Sequence, residues 1–597
     1  MQSAATLLGV IQDRGSRGLP LERVYRHLFN RELYLQAFAR ISGNEGSLTP
    51  GVTAETADGM SLAKIDAIIE AVRFERYRWT PARRIYIEKK HSTNKRPLGI
   101  PVWSDKLLQE VLRMVLEAYF EPQFSPCSHG FRQGRGCHTA LQEIKRTWMG
   151  TTWFVEGDIA ACFDSLDHSV MLSILGDKIH DGRFLRLMKG LLEAGYLEEW
   201  TFNATPSGTP QGGVVSPILS NIYLDALDKF VETTLLQAHN RGTRRKSNRF
   251  YARTQGRARY LASTGRAEEA RALRRQAQAM PSVVLNDPDF RRLRYLRYAD
   301  DFLLGFVGPR REAEEIKRQL GEFLHEQLKL DLSEAKTLIT HGRTQTARFL
   351  GYEVTVLQAD QKHDRRGRRS INGQIGLKVP AVVVRAKCAS YCRHGRATPR
   401  RERINESVYD IVVRYQSEYR GLVEYYRLAY NLHQLNRLKA VMQESLAKTL
   451  AAKLQISVAK VYRRFGSTQQ TARGPRRVFK VTVEREGKRP LVAHWGAIPL
   501  VRRMDVPLPV PHQPVRRQKA TLALRLLANT CELCRSHEEV QVHLEHRLKD
   551  LQRVDAAGTS WAATMVKRHR KSLMVCESCH QQIHVGRPRP VFRTCAL

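Results

Sequence analysis

The chain has 597 residues, room for about three to five domains and a large buried core. Its 98 Lys and Arg outweigh 59 Asp and Glu, a formal net charge of +39 that favours a polyanionic partner, nucleic acid first and a membrane surface second. No stretch reaches the roughly 18 consecutive apolar residues of a membrane span. The start MQSAATLLGVIQDRGSRG lacks the charged head and long apolar core of a secretory signal, so the sequence reads as soluble and intracellular.

Taken in chain order, RVYRHLFNRELYLQAFARISGNEGSLTPGV, from Arg23, mixes basic and aromatic residues with aliphatic ones, so that one face can pack while another meets phosphate. In TTWFVEGDIAACFDSLDH an apolar strand, Trp153 to Val155, runs into Asp158 and then a helix-like stretch. An acid at a strand end points out of the sheet edge. Asp164 and Asp167 lie further along and suit capping or solvating the helix. NATPSGTPQGGVVSPILSNIYLDALD follows, with a glycine-rich turn at Gly208 to Gly213 that leads through Pro217 into an amphipathic helix. Glycines there let backbone approach a ligand, and Gln211 offers an uncharged amide. Residues from about 229 to 294 form an arginine-studded insertion, expected as helices and loops.

RYLRYADDFLLGF then sets two acids side by side. Neighbouring side chains in a strand face opposite ways, so Asp300 and Asp301 share a face only where that alternation breaks, as at a tight hairpin tip between two buried strands. Phosphoryl transfer assisted by two divalent ions needs carboxylates that bridge the metals. Asp158 with Asp300 would form that bridge, and Asp301 would be a further ligand. Leu350 to Val354 (LGYEV) reads as a short strand, and the polar DQKHDRRGRRSINGQ after it marks a boundary. Beyond lie helical spacings that put Leu435, Leu438, Val441, Met442, Leu446 and Leu450 on one face. RRFGSTQQTARGPRRVFKVTVEREGKRP is basic and strand-like.

Four of the ten cysteines stand in two Cys-x-x-Cys pairs, CELC (Cys531 and Cys534) and CESCH (Cys576 and Cys579), a spacing that fits a tetrahedral zinc site rather than a disulfide framework. His580 and His584 share a helix face in CHQQIH. With His543 they could hold a second, catalytic divalent ion.

These segments, together with RPLGIPVW (Arg96 to Trp103) and SHGFRQGRGCHTAL (Ser128 to Leu141), resemble the reverse transcriptases of the group II intron-encoded type over nearly the whole chain. The resemblance implies an α+β right-hand polymerase of fingers, palm and thumb that uses magnesium to extend DNA on RNA from deoxynucleoside triphosphates. It makes Asp158, Asp300 and Asp301 the catalytic acids and the Ile159 carbonyl a backbone metal ligand. Phe163 becomes the aromatic gate against a ribose 2′-hydroxyl, and Gln211 the amide beside the incoming nucleotide. Lys90 and Arg96 become the basic residues on triphosphate oxygens. Lys336, in LDLSEAKTLI, resembles a lysine near the leaving pyrophosphate or is a plain surface residue.

The implied layout is an N-terminal extension at 1–75, fingers and palm at 76–365, a helical thumb and maturase region at 366–465, a DNA-binding region at 466–525 and a zinc-containing HNH module of the ββα-metal type at 526–597. Intron RNA and target DNA are the implied partners, with no membrane, in a bacterial cytoplasm at the nucleoid. The function implied is splicing of the intron and its copying into DNA during retrohoming, with the HNH module, also using magnesium, nicking the target strand. Where the family reads a second histidine, its general base, this chain has Leu544, and His546 lies close enough in sequence to substitute. Two alternatives are a splicing maturase with a vestigial polymerase and a host-defence or diversity-generating reverse transcriptase. The intact Asp158, Phe163, Gln211 and YADD set argues against the first, and the maturase-like and nuclease-like tail against the second.

Overall fold

The computed structural model describes residues 3–88, 95–198, 201–203, 208, 212–365, 369–471, 474–485, 487–504, 517–545, 560–568 and 570–585. Its centre is a four-stranded antiparallel sheet in the order Leu338–His341, Trp153–Asp158, Asp301–Val307, Arg292–Tyr298. The run FLLGFV is apolar on both faces and occupies an interior strand, as a doubly covered strand must. Alternation then divides the sheet between two cores. Phe302, Leu304 and Phe306 face the first, which extends through the N-terminal helices and the helix Trp103–Phe120. Leu303, Phe154 and Leu296 face the second, which reaches the helices Val408–Tyr425 and Leu435–Leu454.

In the N-terminal segment Tyr25, Tyr34 and Phe38 are all buried, so its aromatic residues build the first core, while Arg23 and Arg26 stay exposed. A second four-stranded sheet carries the hairpin of Ala82–Glu88 and Lys95–Ile100 beside Tyr196–Glu198 and Thr201–Asn203. The arginine-rich insertion forms paired helices, Arg249–Ser263 and Ala267–Ala279, that bury Ala258, Leu261, Ala270 and Ala277 and expose Phe250 and Tyr260. Helix Leu435–Leu454 buries Leu435, Leu438, Met442, Leu446 and Leu450, the face its spacing specifies. The strands Gly466–Thr471, Gly474–Arg485 and Lys488–Trp495 follow as one antiparallel sheet. Its Trp495 ring packs 5.6 Å from Tyr419 on helix Val408–Tyr425.

At the C-terminal end the strands Gln541–Leu544 and Ser572–Val575 precede the helix Glu577–Val585. The short strand Met60–Ser61, from the other end of the chain, joins them as a third strand. Leu573 and Val575 face the module's own small core, whereas Val542 and Met574 belong to the first core, so one face of this sheet docks on the body built around that core. Among the described residues no helix is long and apolar enough to cross a membrane.

Candidate functional site

The hairpin tip joins Tyr298 to Asp301 through Ala299 and Asp300, with Asp301 opposite both Tyr298 and Asp158. That register sets Asp158, the last residue of its strand, against the two hairpin acids. Ala299 takes a left-handed φ of 58° to make the turn. A Cβ on Gly130 would lie 2.3 Å from the Ala299 nitrogen, so the hairpin tip rests directly on glycine backbone.

Beneath the tip is a buried ion pair. The Arg297 guanidinium donates to Asp228 through Nε (2.8 Å) and Nη2 (2.6 Å), to Ser128 Oγ (3.0 Å) and to the Ala299 carbonyl (2.9 Å). Tyr295 donates its hydroxyl to the same Asp228 carboxylate at 2.8 Å. Both charged side chains are fully buried, and the bond to the Ala299 carbonyl ties this pair to the turn that carries Asp300.

Crowding the carboxylates has an electrostatic cost. Burial, then the charges of Asp300, Asp158 and Glu156, push the Asp301 carboxyl up to about 7, against a hydrogen bond from the Leu350 backbone. Asp300 is raised by burial and by Asp158, while Arg96 and Lys336 oppose the rise. Lys336 reaches the cluster directly, donating to Asp158 Oδ2 at 2.6 Å from an exposed position. An all-oxygen set that raises its own pKa values is what a hard divalent cation relieves, so the donor chemistry is that of a magnesium site, although the three carboxylates are not gathered within 4.8 Å of one another as the ligands of the two C-terminal clusters are. Phe163 is half-buried, with its ring 6.3 Å from that of exposed Phe131, and Arg96 is exposed on the strand Lys95–Ile100. Ile159 is buried just beyond Asp158 and forms a bridge to Leu332. Gly212, in the glycine-rich turn, lies against Gly99 and Leu98 of the same strand as Arg96. Asp167 caps the helix His168–Gly176 through Val170 N–H.

The C-terminal module holds two clusters. The sulfur atoms of Cys531, Cys534, Cys576 and Cys579 lie within 4.8 Å of one another. Burial raises the Cys531 thiol, but the Cys534, Cys576 and Leu533 backbone N–H groups outweigh it and bring the thiol down to about 6. A four-thiolate set selects zinc among common biological cations. The second cluster joins His543, His580 and His584 with Asp58, again within 4.8 Å. Helix Glu577–Val585 ties the two together, since it begins after Cys576 and carries Cys579, His580 and His584. His543 is fully buried, its Nδ1 makes no hydrogen bond and its Nε2 lies 3.1 Å from Glu545 Oε1. An orphaned imidazole nitrogen facing other imidazoles fits a nitrogen-preferring divalent ion.

Comparison with known families places names on these regions. The reverse transcriptase (RNA-dependent DNA polymerase) family matches residues 87–354, the type II intron maturase family residues 374–490, and the AI2M/AI1M-like HNH endonuclease family residues 531–580. The group II intron-encoded protein LtrA of Lactococcus lactis subsp. cremoris is 35% identical over 588 residues, covering 94% of this chain and 95% of the relative. The chain belongs to the group II intron-encoded proteins. It is thus a reverse transcriptase and intron maturase with an HNH endonuclease domain. Two yeast relatives are less similar. The putative COX1/OXI3 intron 1 protein of Saccharomyces cerevisiae is 29% identical over 93% of this chain and 68% of the relative. The uncharacterized 91 kDa protein in the cob intron of Schizosaccharomyces pombe is 32% identical over 94% and 69%.

In this group II intron-encoded protein, Lys90, Gln211 and His546 lie outside the described residues. The other expected site residues fall into two groups, around the Asp158–Asp300–Asp301 cluster and in the C-terminal module. Leu544 does not face the histidines: its side chain packs against the first core, on the same face of the strand as Val542. Sequence reading missed Arg297, Asp228, Asp58 and Glu545. The glycine of SHGF was a usable signal for the support under the hairpin, while Asp58 carried none.

Proposed function

We propose that the polymerase is a right hand whose fingers and palm span 76–365 and whose thumb and maturase region spans 366–465, copying intron RNA into DNA at the Asp158–Asp300–Asp301 cluster. The N-terminal extension at 1–75 grips template, the segment at 466–525 binds target DNA, and the module at 526–597 nicks it. Magnesium ions, when bound by the three aspartates and the Ile159 carbonyl, neutralise charge on the attacking hydroxyl and the leaving pyrophosphate. Arg96 and Lys90 hold triphosphate oxygens of the incoming deoxynucleotide. Phe163 excludes a 2′-hydroxyl, and Gln211 lies along the base and sugar. Cys531, Cys534, Cys576 and Cys579 bind a structural zinc. His543, His580 and His584 bind the nuclease's divalent ion, with His546 as the candidate base. The protein works in the bacterial cytoplasm, on the nucleoid.

The observation that carries this reading is the strand register that faces Asp158 with the hairpin acids. Its support against a vestigial polymerase is that Asp158, Asp300 and Asp301 are all present at a turn held by the buried Arg297–Asp228 pair. Asp300→Asn keeps the side-chain shape but removes the charge a metal needs. Primer extension should fall by at least about three orders of magnitude while intron binding and splicing persist. Near-normal extension would refute the assignment, and equal loss of splicing would point to misfolding instead.

A further inference from the structure

The histidine cluster is completed from the opposite end of the chain. Asp58 lies just ahead of the strand Met60–Ser61, which pairs with Gln541–Leu544 so that Met60 faces Val542 and Ser61 faces Gln541. Between them Gly59, at φ +75°, turns the chain and donates its N–H to the Val542 carbonyl at 2.8 Å. The turn leaves the Asp58 carboxylate among the imidazoles. Its Oδ2 lies 2.9 Å from His584 Nε2 and 3.3 Å from His580 Nε2. Its Oδ1 lies 3.3 Å from His543 Nδ1 and accepts the Leu544 N–H at 2.7 Å. His580 and His584 Nε2 are 3.2 Å apart.

A tetrahedral ion with donors at about 2.0–2.1 Å separates those donors by roughly 3.3 Å. With Asp58 Oδ2 as the carboxylate donor, its separations from His584 and His580 and the His580–His584 spacing, 2.9, 3.3 and 3.2 Å, lie close to that edge length, and a His543 ring nitrogen lies within 4.8 Å of the donors from all three. The second observation is independent of distance. His543 is fully buried and its Nδ1 has no hydrogen bond, while its other nitrogen is engaged by Glu545. A carboxylate that takes one imidazole N–H leaves the other nitrogen as a lone-pair donor, and this is how metal-binding histidines are oriented. Its nearest acceptor, Asp58 Oδ1 at 3.3 Å, is not aligned for a hydrogen bond, so hydrogen bonding alone leaves that buried nitrogen without a partner of good geometry.

We propose that Asp58 is the fourth ligand of this site. One divalent cation of the zinc class, held by three imidazole nitrogens and one carboxylate oxygen, fastens the nuclease module to the N-terminal region and leaves no coordination position open to DNA. Closed four-ligand sites are structural, whereas hydrolytic sites keep one position free, so cleavage requires Asp58 to withdraw. The inference rests on the reading that the three histidines bind a metal ion.

Cobalt substitution in the full-length chain separates the two claims. The four-cysteine site gives a thiolate charge-transfer band that also reports a folded module, and the histidine site gives ligand-field bands alone. Asp58→Asn keeps an oxygen for the Leu544 N–H but removes the charged ligand. It should weaken the second cobalt by roughly 10-fold or more in chelator competition. Azide should then shift the ligand-field bands of Asp58→Asn and leave those of the wild-type chain unchanged. If Asp58→Asn holds the second cobalt as tightly as wild type while His580→Ala loses it, Asp58 is not a ligand and the three-histidine reading survives. An azide shift in the wild-type chain would overturn the closed site. A wild-type chain that fills only the four-cysteine site would overturn both the proposal and the reading beneath it.

Discussion

Single side chains set the chemistry of the carboxylate cluster, and the most informative is the one without charge. Phe163 stands half-buried beside Phe131, five residues beyond Asp158, where its ring can lie under a sugar bound at the acids. Phe163→Val opens room for a 2′-hydroxyl. Steric exclusion of this kind is worth about 2–3 kcal/mol, so incorporation of ribonucleotide relative to deoxyribonucleotide should rise on the order of 10²-fold in single-nucleotide extension. An unchanged ratio would mean that the ring only packs. Lys336 makes a second case. Its ion pair with Asp158 is exposed on the lysine side, and such pairs contribute about 0–1 kcal/mol. Lys336→Gln should therefore leave the urea midpoint nearly unchanged while altering the magnesium dependence of extension, because the amine competes with a cation for the same oxygen. A large loss of stability with no change in magnesium dependence would make the lysine structural.

At the level of elements, the hairpin that carries Asp300 and Asp301 rests on buried side chains beneath it. Arg297 and Asp228 form a fully buried pair under the turn, and removing one partner strands the other charge. Asp228→Ala should cost about 3–5 kcal/mol in urea unfolding and abolish extension, whereas Tyr295→Phe, which loses one hydrogen bond to the same carboxylate, should cost about 1 kcal/mol. Equal effects of the two substitutions would show that Arg297 finds another partner. The sequence made the hairpin itself legible, because two apolar runs flank a pair of acids at a turn. Its support was not legible. Arg297 sits in RYLRY, where an arginine in a basic chain reads as surface, and Asp228 lies 69 residues away with no spacing that links them. Helix Leu435–Leu454 shows the converse, since a 3.6-residue period in leucines needs no distant partner to be read.

Over the whole molecule, local periodicity and short spacings carried the reading of the chain, and contacts between its two ends escaped it. The paired cysteines and the His580–His584 step are short-range patterns on one helix and its approach. Asp58 is a lone acid whose partners lie 485 to 526 positions downstream, so it became visible only once Met60–Ser61 paired with the C-terminal sheet. The same pairing explains Leu544. On the strand Gln541–Leu544, His543 faces the histidine–aspartate cluster, and Leu544 turns with Val542 toward the first core. A leucine at this position therefore holds the module on the polymerase body, in a place where an imidazole would not reach the histidines. Leu544→His should not raise nicking. It should instead put a polar ring against the apolar face of Val542 and Met574, costing roughly 1–3 kcal/mol of docking. Hydrogen exchange reads that loss directly: the amides of Gly59 and Leu544, which bond across the junction, should lose protection while the four-cysteine core keeps its own. Enhanced nicking with protection at Gly59 intact would mean that residue 544 reaches the reacting phosphate after all, and that the junction opens when DNA binds.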